Sequence, residues 1–188
     1  MKTAVIGNAN TLGGFLLGEF IDSFDCVVRI NFGYMPSNLS VDRGFKTDVL
    51  YHCSSFMKRF RNKPKPDVPV LLHLDHGLRV NLMSEFFGNQ ITAGVLSAIE
   101  FSRRMSNGDQ LFVGGISFFT EPYIANYNNC DTKVIESVRK RILENEENFV
   151  HSSKADRAAF EKYVLPTHGL ILDPWLTSQY PNYKINKQ

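Results

Sequence analysis

The chain has 188 residues, 43% hydrophobic and 21% charged, with a formal net charge of +2. That length fits a single domain with a sizeable core, residues 1–188 with a tail from about 166. The near-neutral balance excludes an electrostatic nucleic-acid binder, and no apolar run approaches the ~18 residues of a membrane-spanning helix.

Met1-Lys2 leads straight into Ala4-Val5-Ile6, a short apolar run of the kind that forms a buried parallel strand. No signal-peptide apolar region precedes it, so a cytoplasmic protein is expected. Gly7-Asn8-Ala9-Asn10 turns the chain, and Leu12 to Phe20 is predicted helical. Cys26-Val27-Val28 is a second strand, ending in Arg29-Ile30-Asn31. Open parallel sheets bind ligands at the carboxyl ends of their strands, where Gly7 and Asn31 both fall. A glycine there permits a tight turn and close approach to a phosphate. An asparagine offers a donor and an acceptor to a base or sugar edge. An ordinary turn and a loop cap use the same residues, and locally both readings stand.

Asp48-Val49-Leu50-Tyr51 reads as a third strand and Val68 to Leu74 as a fourth. Between them Lys58 to Pro66 is a basic run broken by prolines. It reads as a solvated loop, or as a patch that meets an anionic glycan or the inner face of a membrane. His73, Asp75 and His76 could bind a metal, but one short cluster with no other ligand block nearby seldom supplies the three or four convergent ligands of a site, so no metal is expected. Val80 to Phe87 reads as a short helix.

Thr92 is a good N-cap for a helix on which Ala93, Leu96, Ile99 and Arg103 recur at helical spacing. The free amides behind it favour an anion, although a routine capped core helix has the same residues. Asn107-Gly108 ends that helix, and Leu111-Phe112-Val113 is the next strand. Phe118 to Asn129 interleaves aromatic and polar residues without a helical period, and is predicted to be a mobile loop over the site. Asp131-Thr132 opens a helix with Val134, Ile135, Val138, Ile142 and Leu143 as its apolar stripe. His151 stands just before another helix, whose face is Ala155, Ala159 and Tyr163. Such a histidine is a polar cap or, as a neutral imidazole, a base able to take a proton from a sugar hydroxyl. Leu170-Ile171-Leu172 is the last strand. Trp175, Tyr180 and Tyr183 cover the core or line an acceptor site. Cys26, Cys53 and Cys130 form no metal-ligand pattern, and Cys26 reads as a buried small hydrophobe. The elements compose an α/β domain with a mainly parallel sheet and a site at its carboxyl edge.

Residues 3–31 resemble the large motif of the sialyltransferases of glycosyltransferase family 29, AVVGN … IDSHDFVLRMN. Ala4-Val5-Ile6-Gly7-Asn8, Ile21-Asp22-Ser23-Phe24-Asp25 and Val28-Arg29-Ile30-Asn31 carry it in order. Val41-Asp42-Arg43-Gly44-Phe45-Lys46-Thr47 is similar to the DVGTKT that follows in the family. Ile91-Thr92-Ala93-Gly94 and Val113-Gly114-Gly115 resemble the small motif, PSTG and YGF, without its proline and with Thr-Ala for Ser-Thr. His151 and Asp156 keep the spacing of the very short motif, His-x4-Glu, with Asp for Glu. The third motif, HYWE, is not found. Tyr123 and Tyr127 stand in its region, where the loosely similar bacterial enzymes of family 42 use tyrosines to hold the donor phosphate.

The resemblance implies a Rossmann-like three-layer domain and an inverting transfer of sialic acid, or the related sugar Kdo. The donor would be the CMP-sugar, and the acceptor a glycan hydroxyl, oligosaccharide or lipid-linked. It implies donor contacts at Gly7, Asn8, Asn10, Asn31, Thr92, Ala93, Gly94, Tyr123 and Tyr127, a general base at His151, and no cofactor. No Asp-x-Asp element that would hold a diphosphate stands at a strand end, so metal-independent activity is expected. Animal members link a cysteine at the start of the large motif to one in the small motif. Here Thr3 stands first and residues 88–117 hold no cysteine, which points to a reducing compartment. An NAD-type dinucleotide-binding oxidoreductase is a second class. Against it, the turn lacks G-x-G-x-x-G and Asn31 replaces an acidic residue at the second strand's end. A catalytically inactive nucleotide-binding module is a third, suggested by the missing HYWE.

Overall fold

Val5, Val28 and Val113 lie in strands whose successive residues are buried on both faces, the pattern of a sheet covered on both sides. The computed structural model describes residues 1–31, 39–52, 70–72, 76–86, 89–124, 132–144 and 151–183. Its strands are β1 (Lys2–Ile6), β2 (Cys26–Ile30), β3 (Val49–His52), β4 (Val70–Leu72), β5 (Gln110–Gly114) and β6 (Leu170–Leu172). They form one sheet in the order β4-β3-β2-β1-β5-β6, and every pairing is parallel. The order reverses between β1 and β5. The chain therefore leaves these neighbours in different directions, which is where open parallel sheets take their ligands.

The helices are α1 (Gly18–Asp22), α2 (Ser40–Arg43), α3 (His76–Glu85), α4 (Ala93–Ser102), α5 (Thr132–Glu144), α6 (Ser153–Tyr163) and α7 (Pro174–Gln179). Val5, Val28 and Val113 pack with Val95, Ile99, Ala159 and Phe160 of α4 and α6. Ala4, Ile6 and Val27 point the other way, to Leu12, Ile21, Phe24 and Phe112. Alternate residues of β1 thus serve opposite layers, as a pleated strand requires. Each fully buried aliphatic side chain in these layers contributes about 1.5–3 kcal/mol.

Several expectations are corrected. Leu12 to Phe20 is not one helix, because Gly14 and Leu16 take left-handed backbone at φ +80° and +53°. Asn10–Leu12 makes a single tight turn instead, and α1 starts only at Gly18. α3 begins earlier than predicted, at His76. The helix from Ala93 ends at Ser102, short of Asn107-Gly108. The loop predicted to be mobile is docked over its first part, with Phe118, Phe119 and Ile124 all buried. On α5, Ile142 is buried but Val138 and Leu143 are exposed, and the side chains of Val134 and Ile135 lie outside those described. Cys26 is only half-buried, and burial together with Asp48 raises its thiol pKa. The last strand is as expected, and Trp175, Tyr180 and Tyr183 pack against the core. The basic run at 58–66, His73, Asp75, Cys53, Cys130 and Tyr127 lie outside the described residues.

Candidate active site

The turn after β1 is built against the end of β5. Gly7 donates its amide to the Gly114 carbonyl at 2.8 Å, and Ala9 donates to the Gly115 carbonyl at 2.9 Å. A Cβ on Gly7 would stand 2.3 Å from the Gly115 carbonyl oxygen, so no side chain fits. Behind the turn lies Arg43, which is 1% exposed. Its Nη1 donates to the Ala9 carbonyl at 2.9 Å, and its Nη2 donates to the Gly7 carbonyl. Burial draws this guanidinium down to about 9, and neighbouring Arg29 adds to the shift while Asp173 opposes it. It remains a cation at neutral pH. The carbonyls that would repel an anion are thereby tied back to a positive charge.

Asp173 braces the same turn from the other side. Its Oδ2 accepts from the Gly115 amide and from Thr11 Oγ1, both at 2.9 Å. Its Oδ1 accepts from the Leu176 amide at 2.6 Å and caps α7. Burial raises its pKa against these three bonds and the charge of Arg43.

Asn8 is buried, and its Nδ2 donates to the Ile30 carbonyl at 3.0 Å. That bond ties the β1 turn to the end of β2, where Asn31 follows. Asn31 has a φ of +58°, a left-handed conformation that asparagine tolerates better than most side chains, and its amide donates to the Tyr51 carbonyl at 2.8 Å. Tyr123 arrives from the loop after β5. Asn10 donates its amide to the Pro122 carbonyl at 2.8 Å, Ile124 donates to the Asn8 carbonyl at 2.9 Å, and Ala9 bridges to Tyr123. Asn10 itself is exposed.

α4 and α6 each precede a parallel strand and run back against it. Their N-termini, with the positive ends of their dipoles, therefore face this same edge. Gly94 and Gly7 both look at Ile116, whose Cγ1 would lie 3.6 Å and 3.0 Å from their added Cβ atoms. The start of α4 is thereby brought to the β1 turn. Thr92 departs from expectation. Its side chain does not cap α4. Its amide and hydroxyl both donate to Asp156, at 2.9 and 2.6 Å, so Thr92's own donors are taken, while the anion site was expected at the amides that follow it. Burial pushes the Asp156 carboxyl up to about 7, although both bonds from Thr92 pull the other way.

His151 stands one residue before Ser152, the N-cap of α6, whose Oγ accepts from the Ala155 amide. Its Nδ1 lies 2.7 Å from the Gln90 carbonyl oxygen. A carbonyl only accepts, so in this bond Nδ1 carries the ring hydrogen, and in the neutral ring it is Nε2 that keeps a lone pair. Gln90 is two residues before Thr92. The links His151–Gln90 and Asp156–Thr92 therefore fasten the same two stretches of chain, which gives the His-x4-Asp spacing a physical purpose.

Of the residues singled out in the sequence, Gly7, Asn8, Asn10, Asn31 and Tyr123 gather around one turn, joined by Gly94. His151 and Thr92 sit at helix starts on the same edge, and Ala93 opens α4 there. Arg43 and Asp173 were not anticipated. Asp173-Pro174 did carry a signal, an N-cap followed by proline at the first helical position. Arg43 carried none, because its partners lie more than thirty residues away. Among the described residues no group of three His, Cys, Asp or Glu could hold a metal ion. No described helix is long and apolar enough to cross a membrane.

The sequence model of glycosyltransferase family 29 (sialyltransferase) matches residues 1–172. No curated protein sequence matches the chain significantly. Among solved structures it is similar to a mammalian sialyltransferase, with a TM-score of 0.57. It is similar also to a mammalian sialyltransferase in complex with Gal-beta-1-3GalNAc-ortho-nitrophenol, with a TM-score of 0.54. Each likeness has 15% identity and covers 91% of this chain and 68% of the other. That likeness establishes the fold, a Rossmann-like α/β domain. The family match reaches from the first strand to the end of β6, and the chain belongs to glycosyltransferase family 29, the sialyltransferases.

Proposed function

We propose that the chain is an inverting glycosyltransferase that moves sialic acid, or Kdo, from its CMP derivative to a hydroxyl of an oligosaccharide or lipid-linked glycan. The observation that carries this reading is the bond from His151 Nδ1 to the Gln90 carbonyl, 2.7 Å, at the carboxyl edge of the sheet. It leaves Nε2 as the basic atom. Nε2 takes the proton of the acceptor hydroxyl while that oxygen bonds to the anomeric carbon of the donor sugar. The bond from that carbon to the phosphate oxygen breaks, and CMP leaves with the electron pair. Attack from the face opposite the leaving group inverts the anomeric centre.

The donor nucleotide lies along Gly7–Asn10, Asn31 and Tyr123, with Ala93 and Gly94 at the start of α4 facing its charge. Tyr127, outside the described residues, is a further candidate. Thr92 acts through the α4 start rather than by its hydroxyl, which Asp156 holds. A monophosphate leaving group needs less charge compensation than a diphosphate, and turnover is expected without a divalent metal.

The test is CMP release from CMP-sialic acid and CMP-Kdo, with and without a panel of glycosides that includes Gal-beta-1-3GalNAc, in buffer containing EDTA. Acceptor-dependent release in EDTA supports the reading. Tight NAD binding without CMP binding would favour an oxidoreductase. CMP binding without turnover on either donor would make the chain a nucleotide-binding module. Activity lost in EDTA and restored by magnesium or manganese would overturn the metal-free account.

A further inference from the structure

We propose that Phe119, pinned by Arg139, is a positioning residue for His151; this rests on the reading of His151 as the general base. Phe118 and Phe119 both have left-handed backbone, at φ +51° and +67°. Such a conformation is unfavourable for a bulky residue and persists only where the surroundings impose it. Here they do. The Phe118 carbonyl accepts from Ser153 Oγ at 2.6 Å, and its ring meets Phe160 edge-on at 5.4 Å. The Arg157 guanidinium lies over the same ring at 4.8 Å. The carbonyls of Phe119 and Thr120 both accept from Arg139 Nη1 at 3.1 Å. Arg139 is itself aimed by Glu136, at 2.6 Å.

The strained backbone has one evident product. It turns the Phe119 side chain inward, 6% exposed, with its ring 6.3 Å from the His151 ring and tilted by 34°. The bond to Gln90 fixes where Nδ1 sits. The Phe119 ring stands beside the imidazole and helps to hold its plane, and with it the direction of the Nε2 lone pair. The same stretch begins at Gly115, against Gly7. One short segment thus spans from the nucleotide turn to the base.

The test compares Phe119→Ala, Phe119→Tyr and Arg139→Ala with the wild-type chain and with His151→Ala, by acceptor-dependent CMP release and by calorimetry with CMP. Arg139 is only half-buried, so Arg139→Ala reads out the proposal even where Phe119→Ala fails to fold. Phe119→Ala and Arg139→Ala are each expected to lower kcat about tenfold or more, since small misplacements of a catalytic group are costly. CMP affinity and donor KM stay near the wild-type values, and Phe119→Tyr retains most of the rate. In the His151→Ala background, Phe119→Ala adds no further loss, because the group it orients is gone. Wild-type kcat in folded Phe119→Ala or Arg139→Ala, with His151→Ala inactive, overturns the proposal and leaves the base assignment intact. So does a full additional loss in the double variant. Near-normal transfer by His151→Ala overturns the base assignment itself.

Discussion

Gly7 and Gly115 meet backbone to backbone across the switch between β1 and β5. A Cβ on the first would stand 2.3 Å from the carbonyl oxygen of the second, and a Cβ on Gly115 would stand 2.5 Å from that of Gly7. Neither clash can be relieved by turning a side chain. The glycine at position 7 therefore serves the approach of two loops, whatever it also allows a phosphate to do.

Gly7→Ala should accordingly destabilise the protein by roughly 1–3 kcal/mol or more, the usual cost of forcing atoms into a filled space. Thermal melting checks this, and CMP affinity should fall with it because the turn is displaced. An unchanged melting temperature would show that the two loops can separate freely.

Gly94→Ala should behave differently. The added Cβ meets Ile116 only at ordinary contact distance, 3.6 Å, and a glycine within a helix is worth about 0.5–1 kcal/mol less than alanine. Stability should rise slightly. If the donor lies against this first turn of α4, CMP affinity should fall at the same time. Higher stability with unchanged CMP affinity would remove Gly94 from the donor site.

Asn31 is best tested by glycine. Alanine at φ +58° would add backbone strain to the loss of the amide, whereas Asn31→Gly keeps the backbone and deletes only the side chain. Melting temperature should change little, while CMP binding weakens by roughly 1–3 kcal/mol if a buried partner is left unmet. Calorimetry with CMP reads this directly.

These tests follow the divide between what the sequence showed and what it could not. Val5, Val28 and Val113 announced buried parallel strands because each lies in a short apolar run, and the carboxyl ends located Gly7, Asn8 and Asn31. His151 was legible as a histidine before a helix. What makes each of them work is long-range. Asp156 reaches Thr92 from 64 positions away, and Asp173 reaches Thr11 from 162. Phe118 and Phe119 read as loop aromatics because they have no period, yet Ser153 and Arg139 draw them into the interior. Leu12 to Phe20 reads as helical from its apolar residues, but it holds three glycines, and Gly14 and Leu16 adopt backbone that no right-handed helix contains.

Stability against pH follows from two buried groups of opposite sign. Asp156 is raised in the fold to about 7, above its ordinary 3.8, so the fold favours its protonated form. Its contribution is fully present below pH ~4 and is lost as pH rises toward about 7. His52 is lowered by burial to about 4 from its ordinary 6.5, so the fold favours its neutral form. Its contribution is present above pH ~6.5 and is lost as pH falls toward about 4. Asp156→Asn can keep both bonds to Thr92 and should remove the first trend only. Denaturant melts between pH 4 and 7 should then show stability rising more steeply with pH in Asp156→Asn than in the wild type. Parallel pH profiles for the two proteins would contradict the assignment.

The central claim is that His151 Nε2 removes the acceptor proton, and turnover of His151→Ala tests it most directly. The rate of acceptor-dependent CMP release should fall roughly 10²–10⁴-fold, the usual contribution of a positioned acid–base group. CMP affinity should hardly change, because a base that faces the acceptor contributes little to nucleotide binding. A folded His151→Ala protein that transfers sugar at a near-normal rate would contradict the account.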